Sequence, residues 1–134
     1  MTKSLTTMSA GIITMMALMG NAYAATTACP AVSDIKQTAD GNGNGFSYTA
    51  AAPNGQQWVG GNPMADESDL KNVTFKMAAI RTNASKTFVA CDYEGKKDEA
   101  VRMSLTTKPA AKPVGTAWKG NECKENNQEL CTFE

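Results

Sequence analysis

The chain has 134 residues, 13 basic and 13 acidic side chains, four cysteines and no histidine. A neutral balance removes the electrostatic case for binding nucleic acid or an anionic membrane surface. The missing histidine removes imidazole acid–base catalysis, histidine-dependent triads and histidine-based zinc sites.

The first residues read as a leader rather than as part of a fold. Lys3 supplies a positive start, residues 10–19 form a short apolar run, and Ala22 and Ala24 bracket a small-residue cleavage signal. This is the pattern of a secretory signal peptide spanning residues 1–24. The apolar run falls short of the roughly 20 residues that span a bilayer. No later segment is apolar enough to span either, so no transmembrane segment is expected after cleavage. Residues 25–134 then form a single domain, exported to the periplasm or the medium. All four cysteines, Cys29, Cys91, Cys123 and Cys131, lie in that mature part. An even count in a small exported chain reads as two disulfides. Four cysteines allow three pairings, and sequence alone does not choose among them. We expect Cys29–Cys91, tying the N-terminal segment to the middle of a sheet, and Cys123–Cys131, closing a short loop. A thiolate zinc site is the competing reading, but no Cys-x-x-Cys pair is present.

Residues 29–37 read as a short helix. Pro30 suits a first helical position, Val32 and Ile35 share a face, and Gly41 stops the run. The stretch DGNGNG at positions 40–45 matches the first half of a calcium loop. A full loop needs a bidentate Glu at its twelfth position, and that position is Ala51. The stretch therefore reads as a turn built from residues that tolerate left-handed backbone angles. Ser33 and Lys36 have the spacing of a penicillin-binding nucleophile motif, but its S-D-N and K-T-G companions are missing. They read as a solvated pair.

Everything after residue 45 reads as strands. Phe46, Tyr48 and Ala50 alternate with polar residues, a turn follows at residues 53–55, and residues 56–59 complete a hairpin. Residues 60–69 form a polar, acidic loop. Val73, Phe75, Met77 and Ala79 alternate along a half-buried strand. Residues 87–93 are almost continuously apolar, as in a central strand. Val101, Met103 and Leu105 alternate with Arg102, Ser104 and Thr106. Residues 108–113 are an extended, proline-braked link, and short strands around Trp118 and Phe133 end the chain. Hairpin-length links favour antiparallel pairing. The predicted fold is mainly β: an antiparallel sheet or small β-sandwich of six to seven short strands, one short N-terminal helix and two disulfides.

No cofactor or metal site is expected, and no catalytic residue can be named. The carboxylates at Asp66, Glu67, Asp69, Asp92 and Glu94 sit at loops or strand ends with lysines nearby. Nothing in the sequence holds two of them across a cleft. The leading functional reading is a non-enzymatic binding module for a protein partner, such as an inhibitor, an immunity factor or an envelope accessory protein. Trp58, Trp118, Tyr48, Gly60, Gly61 and Asn62 are its candidate contacts, because an exposed aromatic beside flexible glycines can anchor an interface. A small carboxylate-dependent hydrolase or secreted effector is the second reading. A glycan-binding β domain with tryptophan platforms is the third.

Cys29 with Pro30, Phe46 and Tyr48, the turn from Gly55 to Trp58, Cys91 with Tyr93, and Trp118, Cys123, Cys131 and Phe133 together carry a resemblance. The chain resembles a family of small exported bacterial proteins of unknown function over nearly all its mature length. The resemblance implies a periplasmic or secreted domain. It brings no catalytic residues with it, since its motifs are cysteines, aromatics and turn glycines.

Overall fold

The structure is a computed structural model and describes residues 26–41 and 45–134. The expected leader and the centre of the DGNGNG stretch lie outside the described residues. Ten strands form: β1 (Lys36–Ala39), β2 (Phe46–Ala51), β3 (Gln57–Asn62), β4 (Thr74–Asn83), β5 (Lys86–Glu94), β6 (Ala100–Thr107), β7 (Pro113–Val114), β8 (Trp118–Lys119), β9 (Glu122–Cys123) and β10 (Thr132–Phe133). Eight lie in one sheet in the order β1-β2-β3-β6-β5-β4-β9-β8, and β10 pairs with β7. All pairings between named strands are antiparallel.

The sheet is two ladders joined at a seam. β1, β2 and β3 pair along their lengths, as do β4, β5 and β6. Between β3 and β6 the ladder registers one position, Val59 opposite Ser104. Gly60 lies on this seam. A Cβ there would collide with the Arg102 carbonyl, so glycine permits the two strands to approach.

Period-2 alternation sorts the faces of β2 and β6 as the sequence predicts, but on β4 an irregularity between Phe75 and Met77 breaks the predicted alternation, leaving Ala78 buried and Met77 half-buried. Val101, Met103 and Leu105 on β6 are buried, and Val89, Cys91 and Tyr93 on β5 join them. Tyr48, Ala50 and Trp58 complete the core from the other ladder. Trp58 meets Phe133 edge to face, with ring centroids 6.2 Å apart, so the C-terminal strand seals the core beneath β3. Phe75 and Tyr93, paired across β4 and β5, make a second edge-to-face contact at 5.8 Å.

Two disulfides join the parts, Cys29–Cys91 and Cys123–Cys131. The first runs from the segment that leads into β1 to the centre of β5, so it crosses the seam. The Tyr93 hydroxyl donates to the Pro30 carbonyl at 2.6 Å and fixes the same segment from below.

The expected N-terminal helix is replaced by a single 3-10 turn, Val32–Asp34, followed by β1. Val32 and Ile35 are indeed linked, through the Ile35 N–H to the Val32 carbonyl at 3.1 Å, but the turn ends there. The next four residues gain more from pairing with β2, where Gln37 faces Tyr48 and Thr38 faces Ser47. The described residues also form one large sheet and a two-stranded annex rather than a sandwich, with more strands than the sequence predicts, four of them only two residues long.

Candidate functional site

Trp58 and Tyr48 are each 1 % exposed. Both rings are spent on the core; alternation on β2 and β3 points them inward together, and Trp58 borders a neighbouring cleft. Trp118 is half-buried, and its indole N–H donates to the Thr132 carbonyl at 2.8 Å. It stitches β8 to β10. Gly60, Gly61 and Asn62 end β3, far along the strand from the hairpin turn. There the Asn62 side chain accepts from the Met64 N–H at 2.9 Å and shapes the following loop. These six residues are therefore not brought together into one surface.

A large concavity lies at the other end of β2 and β3. It is a cleft of about 910 Å³. One wall is the N-terminal segment, residues 26–31. Facing it are residues 49–53, at the end of β2, and the hairpin turn with Gln57 behind it. Ser33, Asp34 and Lys36 close one side, and Gln128 and Glu129 the other. Each wall has a physical anchor. Thr27 exchanges both backbone hydrogen bonds with Phe133, at 2.8 and 2.9 Å, and Cys29 is bonded to Cys91. Gln128 and Glu129 sit in a 3-10 turn capped by the Asn127 side chain, inside the loop closed by Cys123–Cys131. The hairpin turn is held by the Ala52 N–H to the Gln56 carbonyl at 2.9 Å, and by Gln56 Nε2 donating to the Thr106 carbonyl at 3.2 Å. Both disulfides thus brace the cleft.

The lining is mixed. Ala28, Ala31 and Ala50 to Ala52 give small apolar surface, Gln57 and Gln128 give amides, and Asp34, Glu129 and Lys36 place both signs of charge at the rim. Ser33 and Lys36 both line the cleft, although no hydrogen bond joins them. Sequence reasoning passed over nearly all these residues. Glutamines and alanines carry no motif, and the cleft exists only because of where β1 stops.

Elsewhere the charged groups serve the fold. Arg102 makes a two-pronged contact to Asp92 across β5 and β6, and this pairing raises the guanidinium pKa. Burial pushes the Tyr93 phenol far above its ordinary value, with Asp92 adding to the shift. Burial raises Tyr48 as well, with Asp69 and then Asp40 contributing. Asp40, from the DGNGNG stretch, accepts from Ser47 Oγ at 2.6 Å. Among the described residues no three acidic or cysteine side chains gather as a metal site, and no helix is long and apolar enough to cross a membrane.

The fold and cleft define a small disulfide-braced antiparallel β domain with a cleft of mixed lining at a sheet end. Residues 24–134 match the model of a family described as "Protein of unknown function (DUF3757)", and the chain belongs to that family. Comparison with curated proteins and with solved structures returns no match.

Proposed function

We propose that the protein is an exported, non-catalytic binding module that engages a protein partner through the cleft between residues 26–31 and the end of β2. One observation carries the reading: both disulfides end in, or close a loop within, the walls of this cleft. Bracing of that kind lowers the ordering cost of binding. The volume falls in the range of clefts that hold ligands, roughly 300–1,000 Å³. Export follows from the N-terminal leader pattern and from two disulfides, which persist in oxidising compartments. The proposed contacts are Gln57, Gln128 and the charged rim, since Trp58 and Tyr48 are buried and Trp118 is half-buried.

The test is affinity capture from envelope and culture-medium fractions with the oxidised domain as bait. A Gln57→Arg/Gln128→Arg variant fills the cleft from its rim without touching the core. A protein retained by the parent and lost by this variant supports the reading; equal retention by both refutes it. A carboxylate-dependent hydrolase is the second reading, favoured by one observation: Asp34 and Glu129 line the same cleft. Hydrolysis abolished by either Asp34→Asn or Glu129→Gln, with folding unchanged, would establish it.

A further inference from the structure

The phase of the β1–β2 ladder says what kind of partner the cleft fits. Lys36 faces Thr49 and Thr38 faces Ser47. The Asp40 N–H donates to the Gly45 carbonyl at 3.3 Å in the same register. In an antiparallel pair, hydrogen-bonded positions alternate with non-bonded ones. Ser47, Thr49 and Ala51 therefore aim their N–H and C=O groups toward β1. The intervening residues aim theirs toward β3, as the Ala52 bond to Gln56 confirms.

The residue that would complete the ladder opposite Ala51 is Asp34. It cannot do so. Asp34 closes the 3-10 turn, with its N–H on the Ala31 carbonyl at 2.9 Å. The chain then turns inward toward the Cys29–Cys91 bridge. Thus β2 outruns β1. Ala51 is exposed; it registers opposite Gln57 at a non-hydrogen-bonded position of the β2–β3 ladder, so its N–H and C=O point away from β3, and no bond joins them to Asp34. The opposite wall has the same character. Thr27 spends both ladder groups on Phe133, so those of its neighbour Ala28, which lines the cleft, face the other way. None is paired among the described residues. Two open backbone edges therefore border one braced cleft. The side chains beside them are alanines, leaving room for side chains of a ligand.

We propose that the cleft takes an extended segment of a partner polypeptide, held by strand addition to the unpaired end of β2 at Ala51. The proposal rests on the binding-module reading above and names the partner's chemistry. An extended peptide supplies the alternating donor and acceptor that an open ladder position demands, and strand addition is an established mode of peptide recognition. A glycan offers hydroxyls without that alternation. The rim carries Lys36 against Asp34 and Glu129, which favours a segment without strong net charge.

The test uses linear random peptides displayed on phage and selected on the full oxidised domain, followed by amide hydrogen exchange and affinity measurements on the enriched sequences. The expected result is new protection of the Ala51 amide in the complex. Ala51→Pro removes that N–H, which ladder phase leaves out of the fold's own bonding, and also fixes φ at about −65°; it should weaken peptide binding by about tenfold, the worth of one hydrogen bond. Ala51→Val keeps the N–H and should keep the affinity. Enriched peptides that protect Gln37 and Ala39 on the outer edge of β1, or that bind Ala51→Pro as tightly as the parent, overturn strand addition at Ala51. In that case a partner caught by capture and lost with Gln57→Arg/Gln128→Arg leaves the module reading standing. No enriched peptide overturns the proposal, and no captured partner as well overturns both.

Discussion

Removing the two disulfides one at a time should cost very different amounts. Cys29–Cys91 closes a separation of 62 residues and Cys123–Cys131 one of 8. In the chain-entropy account, loss of the first bridge relaxes the unfolded chain by about 4 kcal/mol and loss of the second by about 2.5 kcal/mol. All four cysteines are at most 2 % exposed, so the packing lost on replacement by alanine is similar for both pairs and largely cancels in the difference. The long bridge also crosses the seam where β3 and β6 register one position, so native-state contacts add to its share. The measurement is urea unfolding of Cys29→Ala/Cys91→Ala and Cys123→Ala/Cys131→Ala, followed by tryptophan fluorescence. With an m-value of about 1.5 kcal/mol/M for a domain of this size, the two midpoints should differ by about 1 M. Against a total stability of about 5–15 kcal/mol, the first variant should be close to unfolding. Equal losses, or a larger loss for the short bridge, would refute the reasoning that joins loop length to the seam.

Trp58→Ala should unfold or nearly unfold the domain, losing about 3–5 kcal/mol as buried aromatic truncations do; a fully folded variant by thermal melting would return Trp58 to the list of contact residues. Tyr93→Phe should cost about 1–2 kcal/mol by orphaning the buried Pro30 carbonyl, whereas Tyr48→Phe, whose hydroxyl has no hydrogen-bond partner among the described residues, should be neutral or stabilising. Gly60→Ala should cost about 1–3 kcal/mol through its collision with Arg102, while Gly61→Ala, where a Cβ would meet nothing nearer than the Phe46 carbonyl at 3.7 Å, should be tolerated. Alkaline stability follows from the raised tyrosines. Above about pH 10 the unfolded chain loses phenolic protons that the folded chain keeps, so stability falls as pH rises. The limiting slope is about 1.4 kcal/mol per pH unit for each such tyrosine. A flat stability curve between pH 10 and 12 would contradict the burial of Tyr93.

The regular parts of the fold were legible because their chemistry is local. Val101, Met103 and Leu105 alternate so cleanly that strand and inward face follow from the pattern alone. The 53–55 turn, with Asn54 and Gly55 at left-handed backbone angles of 60° and 77°, reads directly from proline and glycine chemistry. Residues 29–37 were misread because their local signals, a proline start and one apolar pair, describe a single turn as well as a helix. The deciding fact, pairing of Lys36–Ala39 with β2, is tertiary. In the sequence Trp58 reads equally as an interface anchor or as a core ring, for a related reason. Glycines on both sides mark a close approach of strands at Gly60, and a sequence does not distinguish that from a flexible loop. The cleft was illegible altogether. Its defining feature is a difference in length between two neighbouring strands, and no residue type encodes that.

The bond between Thr27 and Phe133 also fixes an order of events. The first described residues of the chain pair with almost the last, and the 910 Å³ cleft has walls from both ends. The N-terminal segment cannot reach its final pairing before β10 has been made, because β10 is the lid on Trp58 and the partner of Thr27. A chain that still lacks β10 therefore has neither its finished core nor both walls of the cleft.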